Sequence, residues 1–374
     1  MKAPIRVLIG VLLCAFSLAC SFEGRIVEAR SNGPVVRQPR IVVASTKARP
    51  EWRLGSPVAH GNLTVFPVLA DETTSTEGFI TLDQGLRTGK VTITEIGANG
   101  SSITIRPNQQ RGDQAEVNRL MVTNNSGKTL VLIAGEVVVG GKQDRIVGHD
   151  CLVSSSGKPA PIDVFCVEHG RWQAGVAFGQ SQRTGQGGAN EVVSFSSSVM
   201  ALPRVREKAQ ARKDQGQVWS EVSKVERENG VSSSTGTLNN VYADKQVNAK
   251  LAAFDKALGP SLVAKNIVGA VVVIGGEVVS ADVFANPELF QAYWPKLLKS
   301  YALQAVSSGK SASQKVDRAS AEAFLANADA SISSDGTNGV YKLSERNAAT
   351  DASFELVSDT INSSLIHFNR VNKK

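Results

Sequence analysis

Val271-Val272-Val273-Ile274-Gly275-Gly276-Glu277-Val278-Val279-Ser280 reads as two apolar β-strands folded back on each other. The β-branched run favours a pleated strand. The paired glycines supply the positive φ angles that a two-residue hairpin turn needs. Just beyond, Asn286 can accept from the first free N–H groups of a helix, with Pro287 at its first position. Leu289, Phe290 and Tyr293 share one helix face. Pro295 lacks an N–H and crowds the preceding turn, which predicts a kink or a new helix start there, running on through Leu297, Leu298, Tyr301 and Leu303. Ser364–Phe368 reads as a closing strand.

Upstream, strand alternation recurs in Asn62–Val68, Val91–Ile96, Ser102–Ile105, Leu120–Thr123 and Ile162–Val167. Asn124–Gly127 is a turn, Leu82–Leu86 suits a short helix, and Leu130–Val139 reads as a hairpin around Ala134-Gly135. Arg204–Arg227 mixes charges of both signs around an apolar stripe of Val205, Ala209, Trp219, Val222 and Val225, which is the pattern of a solvated helix. Val247–Leu258 is a second helix. The expectation is an α+β protein: a β-rich N-terminal half, hairpins in a sandwich- or barrel-like form, packed with an α/β C-terminal half. Its parts are a β-rich domain over 52–174, a loop and helical connector over 175–240 and an α/β domain over 241–374. Residues 131–138 and 272–279 echo each other, as an ancient duplication or as two unrelated apolar runs.

The N-terminus has the grammar of export. Lys2 and Arg6 precede an apolar run, Val7–Leu18, that is shorter than the ~20 residues a membrane span needs. Ser17 and Ala19 put small residues at −3 and −1 of a cut before Cys20. Residues 1–19 are therefore expected to be a signal peptide and 20–51 a linker, with the rest in the periplasm or secreted. Cys20 opens a second route, a lipoprotein anchored to the membrane by its acylated cysteine. Cleavage removes Lys2 and Arg6 from a net charge of +7 over 374 residues. What remains is a solubility feature, and no aromatic-interleaved basic run argues for nucleic acid. Cys151 and Cys166, fifteen residues apart, are either a disulfide suited to an oxidising compartment or two buried thiols.

Two polar blocks end apolar strands: Gly135–Arg145 and Val164–Trp172. Lys142, Gln143, Asp144, Arg145, His169, Arg171 and Trp172 are the candidate binding residues. Lys, and above all the arginine forks, suit a small anion, and Trp172 suits a flat ring. Glu136 and Glu168 are candidate general bases, and Asp150 a further carboxylate. The competing reading is a salt-bridged seam where strand ends meet. Cys166 with His169 is a weaker nucleophile–base pair, and His60, His149, His169 and His367 lack metal-ligand spacing. Gly185-Gln186-Gly187-Gly188 lacks the Lys-Ser/Thr of a phosphate loop, so no cofactor and no metal is implied. Oligomeric state is not readable.

Trp52, Asn62–Val68, Thr81–Leu86, the two polar blocks and Phe284–Tyr301 together resemble one family over roughly 52–370: the ARG (ADP-ribosylglycohydrolase) and rhodanese-phosphatase-superfamily-associated protein domain. That resemblance implies an indirect link to ADP-ribose or phosphorylated small molecules and carries no established activity. Three functions stay open: a small-molecule or anion-binding module, a hydrolase on a phosphorylated or ADP-ribosylated substrate, and a ligand-free envelope scaffold.

Overall fold

The structure, a computed structural model, describes residues 51–97, 102–103, 115–170, 195–311, 317–326, 332–335 and 339–373. The signal and linker readings, Cys20, the Gly/Gln-rich stretch 175–190, Arg171 and Trp172 lie outside them.

Along the chain the first strands are β1 (Trp52–Leu54), β2 (Val58–His60), β3 (Leu63–Ala70) and β4 (Phe79–Thr81). Thr81 caps α1 (Leu82–Arg87) through a reciprocal box with Gln84. Then follow β5 (Val91–Gly97), β6 (Ser102–Ile103), β7 (Ala115–Asn124), β8 (Thr129–Leu132), β9 (Val137–Val138), β10 (Arg145–Val147), β11 (Cys151–Val153) and β12 (Ala160–Cys166). The middle is helical: α2 (Pro203–Arg206) runs into a π-helical stretch over Glu207–Ala211, and then come α3 (Gln215–Asn229), α4 (Leu238–Ala243) and α5 (Lys245–Leu258). The anticipated hairpin is β13 (Ile267–Ile274) and β14 (Glu277–Phe284), with Gly275 at φ 57° and Gly276 at φ 84°. The chain ends with α6 (Pro287–Ser307), α7 (Arg318–Ala326), β15 (Ile332–Asp335), β16 (Tyr341–Asn347), β17 (Asp351–Ser358) and β18 (Ser364–Asn372).

These strands form three sheets. The largest runs β1-β3-β13-β14-β18-β17-β16-β15, with β2 added on β3. The second runs β6-β5-β7-β12-β10-β9, and the third β11-β8-β4. Strand β3, from the first half, pairs along its length with β13, from the second, so the halves expected from sequence share one sheet. Every residue of β13 is buried because both its faces are covered. Ala270, Val272 and Ile274 join the main core with Phe290, Tyr293 and Leu297 of α6. Val268, Val271 and Val273 join a smaller core with Ala321 and Leu325 of α7.

Three local expectations are corrected. Helix α6 runs unbroken through Pro295, because Tyr293, Trp294, Leu297, Leu298 and Tyr301 around it are all buried and hold the backbone helical. Leu130–Val139 is not a hairpin: β8 pairs with β11 and β4, while β9 pairs with β10. Gly135 instead sends its N–H to the Val147 carbonyl at 2.8 Å. The helix expected over 204–227 breaks after its π-helical stretch and restarts where the Asp214 side chain accepts from the Gln217 N–H.

Candidate functional site

The first polar block folds back onto β5. Arg145 stands at the start of β10, and its fork grips the Glu95 carboxylate, with Nη1–Oε1 and Nη2–Oε2 both at 3.0 Å. Its Nε donates to the Val117 carbonyl at 3.1 Å, and Nη1 also reaches the Gln143 carbonyl at 3.2 Å. Both side chains are fully buried. The Lys142 N–H donates to the same Glu95 oxygen at 2.9 Å. Gly141 makes room for this: at φ 63°, a Cβ there would fall on Glu95 Oε1 and within 2.6 Å of the Phe195 ring. The block's glycine thus admits a carboxylate of the protein itself.

The second block closes against the first. Glu168 accepts from the Asp144 N–H at 2.9 Å, and its carbonyl accepts from Gln143 Nε2 at 3.1 Å. Asp144 accepts from the Thr237 hydroxyl at 2.7 Å and from the Gly140 N–H at 3.2 Å. Lys142, Gln143, Asp144 and Glu168 are all buried, whereas His169 and Gly170 are exposed.

Glu136 belongs to another knot. Its Oε1 accepts from Lys296 Nζ at 2.7 Å and its Oε2 from the Ile133 N–H at 3.1 Å. Lys296 also reaches Asp83 at 2.9 Å. Burial pushes Glu136 upward, more than Lys296 beside it repays. Burial alone would push Lys296 down, but the two carboxylates outweigh it and leave it above its ordinary value. A raised carboxyl suits a general acid, yet this one is fully buried with both oxygens engaged.

A third knot went unread in the sequence. Arg206, Asp282, Tyr301, His367 and Asp150 come from five separate segments, and all are fully buried. Arg206 grips Asp282 at 2.7 and 3.2 Å, and the Tyr301 hydroxyl donates to Asp282 at 2.5 Å. His367 Nδ1 meets Asp150 at 2.6 Å and its Nε2 faces Asp282 at 3.3 Å. Burial by itself would lower His367, but Asp150 and Asp282 overcome it and raise the imidazole to about 9. Asp282 is pushed up by burial and pulled down further by Arg206, ending well below the usual carboxylate range. Asp282 alternates with Ala281 and Val283, and His367 with Ile366 and Phe368, so alternation along β14 and β18 reads both as facing solvent and gave no signal of this knot. Arg206, in a helix read as solvated, gave none either.

The proposed disulfide is corrected. Cys151 and Cys166 are free and buried, on β11 and β12 in different sheets. Burial raises both thiols. Cys166 lies buried at the strand end while His169 is exposed, ring against Trp219, so no nucleophile–base pair is formed. Among the described residues no three His, Cys, Asp or Glu side chains are grouped to hold a metal ion, and no helix is long and apolar enough to cross a membrane.

The family model described as ARG and Rhodanese-Phosphatase-superfamily-associated Protein domain matches residues 51–370. No curated protein and no solved structure matches the chain.

Proposed function

The chain belongs to the ARG and rhodanese-phosphatase-superfamily-associated protein domain family, and we propose that it works after export as a non-catalytic module whose two polar blocks are a structural seam. The observation that carries this is the Arg145 fork. Its donors go to Glu95, the Val117 carbonyl and the Gln143 carbonyl, and none of its surface is exposed. An anion at that position would have to displace Glu95 from a buried pair.

The hydrolase reading is less favoured for the same reason. A general base must come within hydrogen-bond reach of its substrate. Glu136 is bonded through both oxygens, and Glu168 is spent on the Asp144 N–H. Export rests on the basic start, the apolar run Val7–Leu18 and the small residues Ser17 and Ala19.

Two measurements test this. Mass analysis of the chain recovered from the cell envelope should give an N-terminus at Cys20, free or acylated; an intact Met1 there would contradict export by this signal. Melting of the wild-type protein should not shift with millimolar phosphate or ADP-ribose. A saturable upward shift would contradict the seam and restore the anion-binding module.

A further inference from the structure

Away from the seam, β4 stands at the edge of the third sheet, paired with β8 in parallel register. Beside it lies a cleft of about 230 Å³. Thr76 and Glu77 from the turn before β4, Gln84 of α1, Lys128 from the turn between β7 and β8, and Glu288 of α6 are its polar lining. Phe79, Ile80, Leu289 and Ala292 give it an apolar surface.

The walls are fixed by the protein's own bonds. The Asn286 side-chain amide donates to the Thr74 carbonyl and to the Thr76 hydroxyl, both at 2.7 Å, and its oxygen accepts from the Leu289 N–H at 2.8 Å. The Thr129 N–H donates to the Gly78 carbonyl at 2.8 Å, which holds the turn carrying Lys128 beside the stretch carrying Glu77. A cleft built this way is formed before a ligand arrives.

What it offers is unpaired charge of both signs, open to solvent. Glu77, Lys128 and Glu288 are exposed, and among the described residues none of them is in an ion pair. Thr76 accepts from Asn286 and keeps its own O–H to give. Gln84 accepts from the Thr81 N–H at 3.2 Å and keeps its NH₂. Two carboxylates against one ammonium leave one negative charge in excess.

We propose that this cleft binds a free basic amino acid, arginine or lysine. Such a molecule carries two cationic groups and one carboxylate, which is the complement of two glutamates and one lysine. Its carboxylate meets Lys128, with the Thr76 O–H and the Gln84 NH₂ as further donors, and its two cations meet Glu77 and Glu288. Its methylene stem lies along Phe79, Ile80, Leu289 and Ala292, as the stems of long basic side chains cover apolar surface while their heads stay in water. The size agrees, since the cleft falls below the roughly 300–1,000 Å³ of pockets for larger ligands. An acidic amino acid would bring two carboxylates to two glutamates, and an apolar one would leave a glutamate unmatched.

Calorimetric titration of the full chain with millimolar L-arginine, L-lysine, L-leucine, L-glutamate and agmatine (which lacks the carboxylate) tests the proposal. Saturable binding of arginine or lysine is expected, about tenfold or more tighter than any of the other three. Glu77→Gln, Glu288→Gln and Lys128→Met should each weaken it about tenfold by removing one charged partner. All three positions are exposed, so the melting temperature should stay unchanged and the variants should fold. No saturable binding of arginine or lysine, binding that all three variants leave unchanged, or agmatine held as tightly as arginine would overturn it.

Discussion

The guanidinium of Arg145 and the carboxylate of Glu95, fifty residues apart in sequence, meet as a two-pronged buried pair with both contacts at 3.0 Å. The pair ties β5 to the start of β10, two strands of the second sheet that β7 and β12 separate. It turns what reads as an anion-binding motif into a fastening.

Gly141→Ala should loosen that fastening without touching either charge. A methyl group there would press on Glu95 Oε1 and the Phe195 ring, at a positive φ that side chains resist. The expected loss is about 1–3 kcal/mol in urea denaturation. A variant as stable as the wild type would show that the glycine's freedom is not used.

Stability should depend on pH through His367. Its folded value, about 9, lies above the ordinary 6.5. Its contribution is therefore fully present below about 6.5 and is lost as pH rises through about 9. Denaturation of wild type and His367→Gln across that range should show their difference shrinking as pH rises. A constant difference would mean the imidazole is not held charged between Asp150 and Asp282.

Lys296→Met should leave Glu136 buried without its cation. The expected cost near neutral pH is about 3–5 kcal/mol. Glu136 already sits above its ordinary value, and losing the lysine raises it further. The folded variant then holds a proton that the unfolded chain releases, so its deficit should shrink as pH falls. Urea denaturation at pH 5 and pH 8 checks both the size and the trend.

Cys151 and Cys166 should stay silent to a thiol reagent in the native protein and both react after denaturation without reductant. They are buried, and burial raises both thiols. Failure of either to react after unfolding would reinstate the disulfide.

Much of the architecture was legible because it rests on local rules. The Gly275-Gly276 turn, the Asn286 cap and the alternation of β3, β5 and β12 are each written within a few residues. The joining of β3 to β13 was not, since two hundred residues separate them and an apolar strand does not name its partner. The polar blocks were legible as special but not as to purpose. Arg145 carries the same fork whether it faces a ligand or Glu95, and Glu95, on the face of β5 that carries Val91 and Ile93, reads as an inward charge whose partner the strand does not name. The Asp282–Arg206 and Asp150–His367 contacts need three dimensions to exist.

A double-mutant cycle on Arg145 and Glu95, followed by equilibrium denaturation with and without millimolar ADP-ribose, tests the structural seam most directly. Arg145→Met alone should cost about 3–5 kcal/mol by stranding a buried carboxylate. Glu95→Leu with Arg145→Met should recover most of that loss, and ADP-ribose should shift none of the curves. Near-wild-type stability of Arg145→Met, together with an ADP-ribose shift in wild type that this variant abolishes, would contradict the seam and make Arg145 a ligand-binding residue.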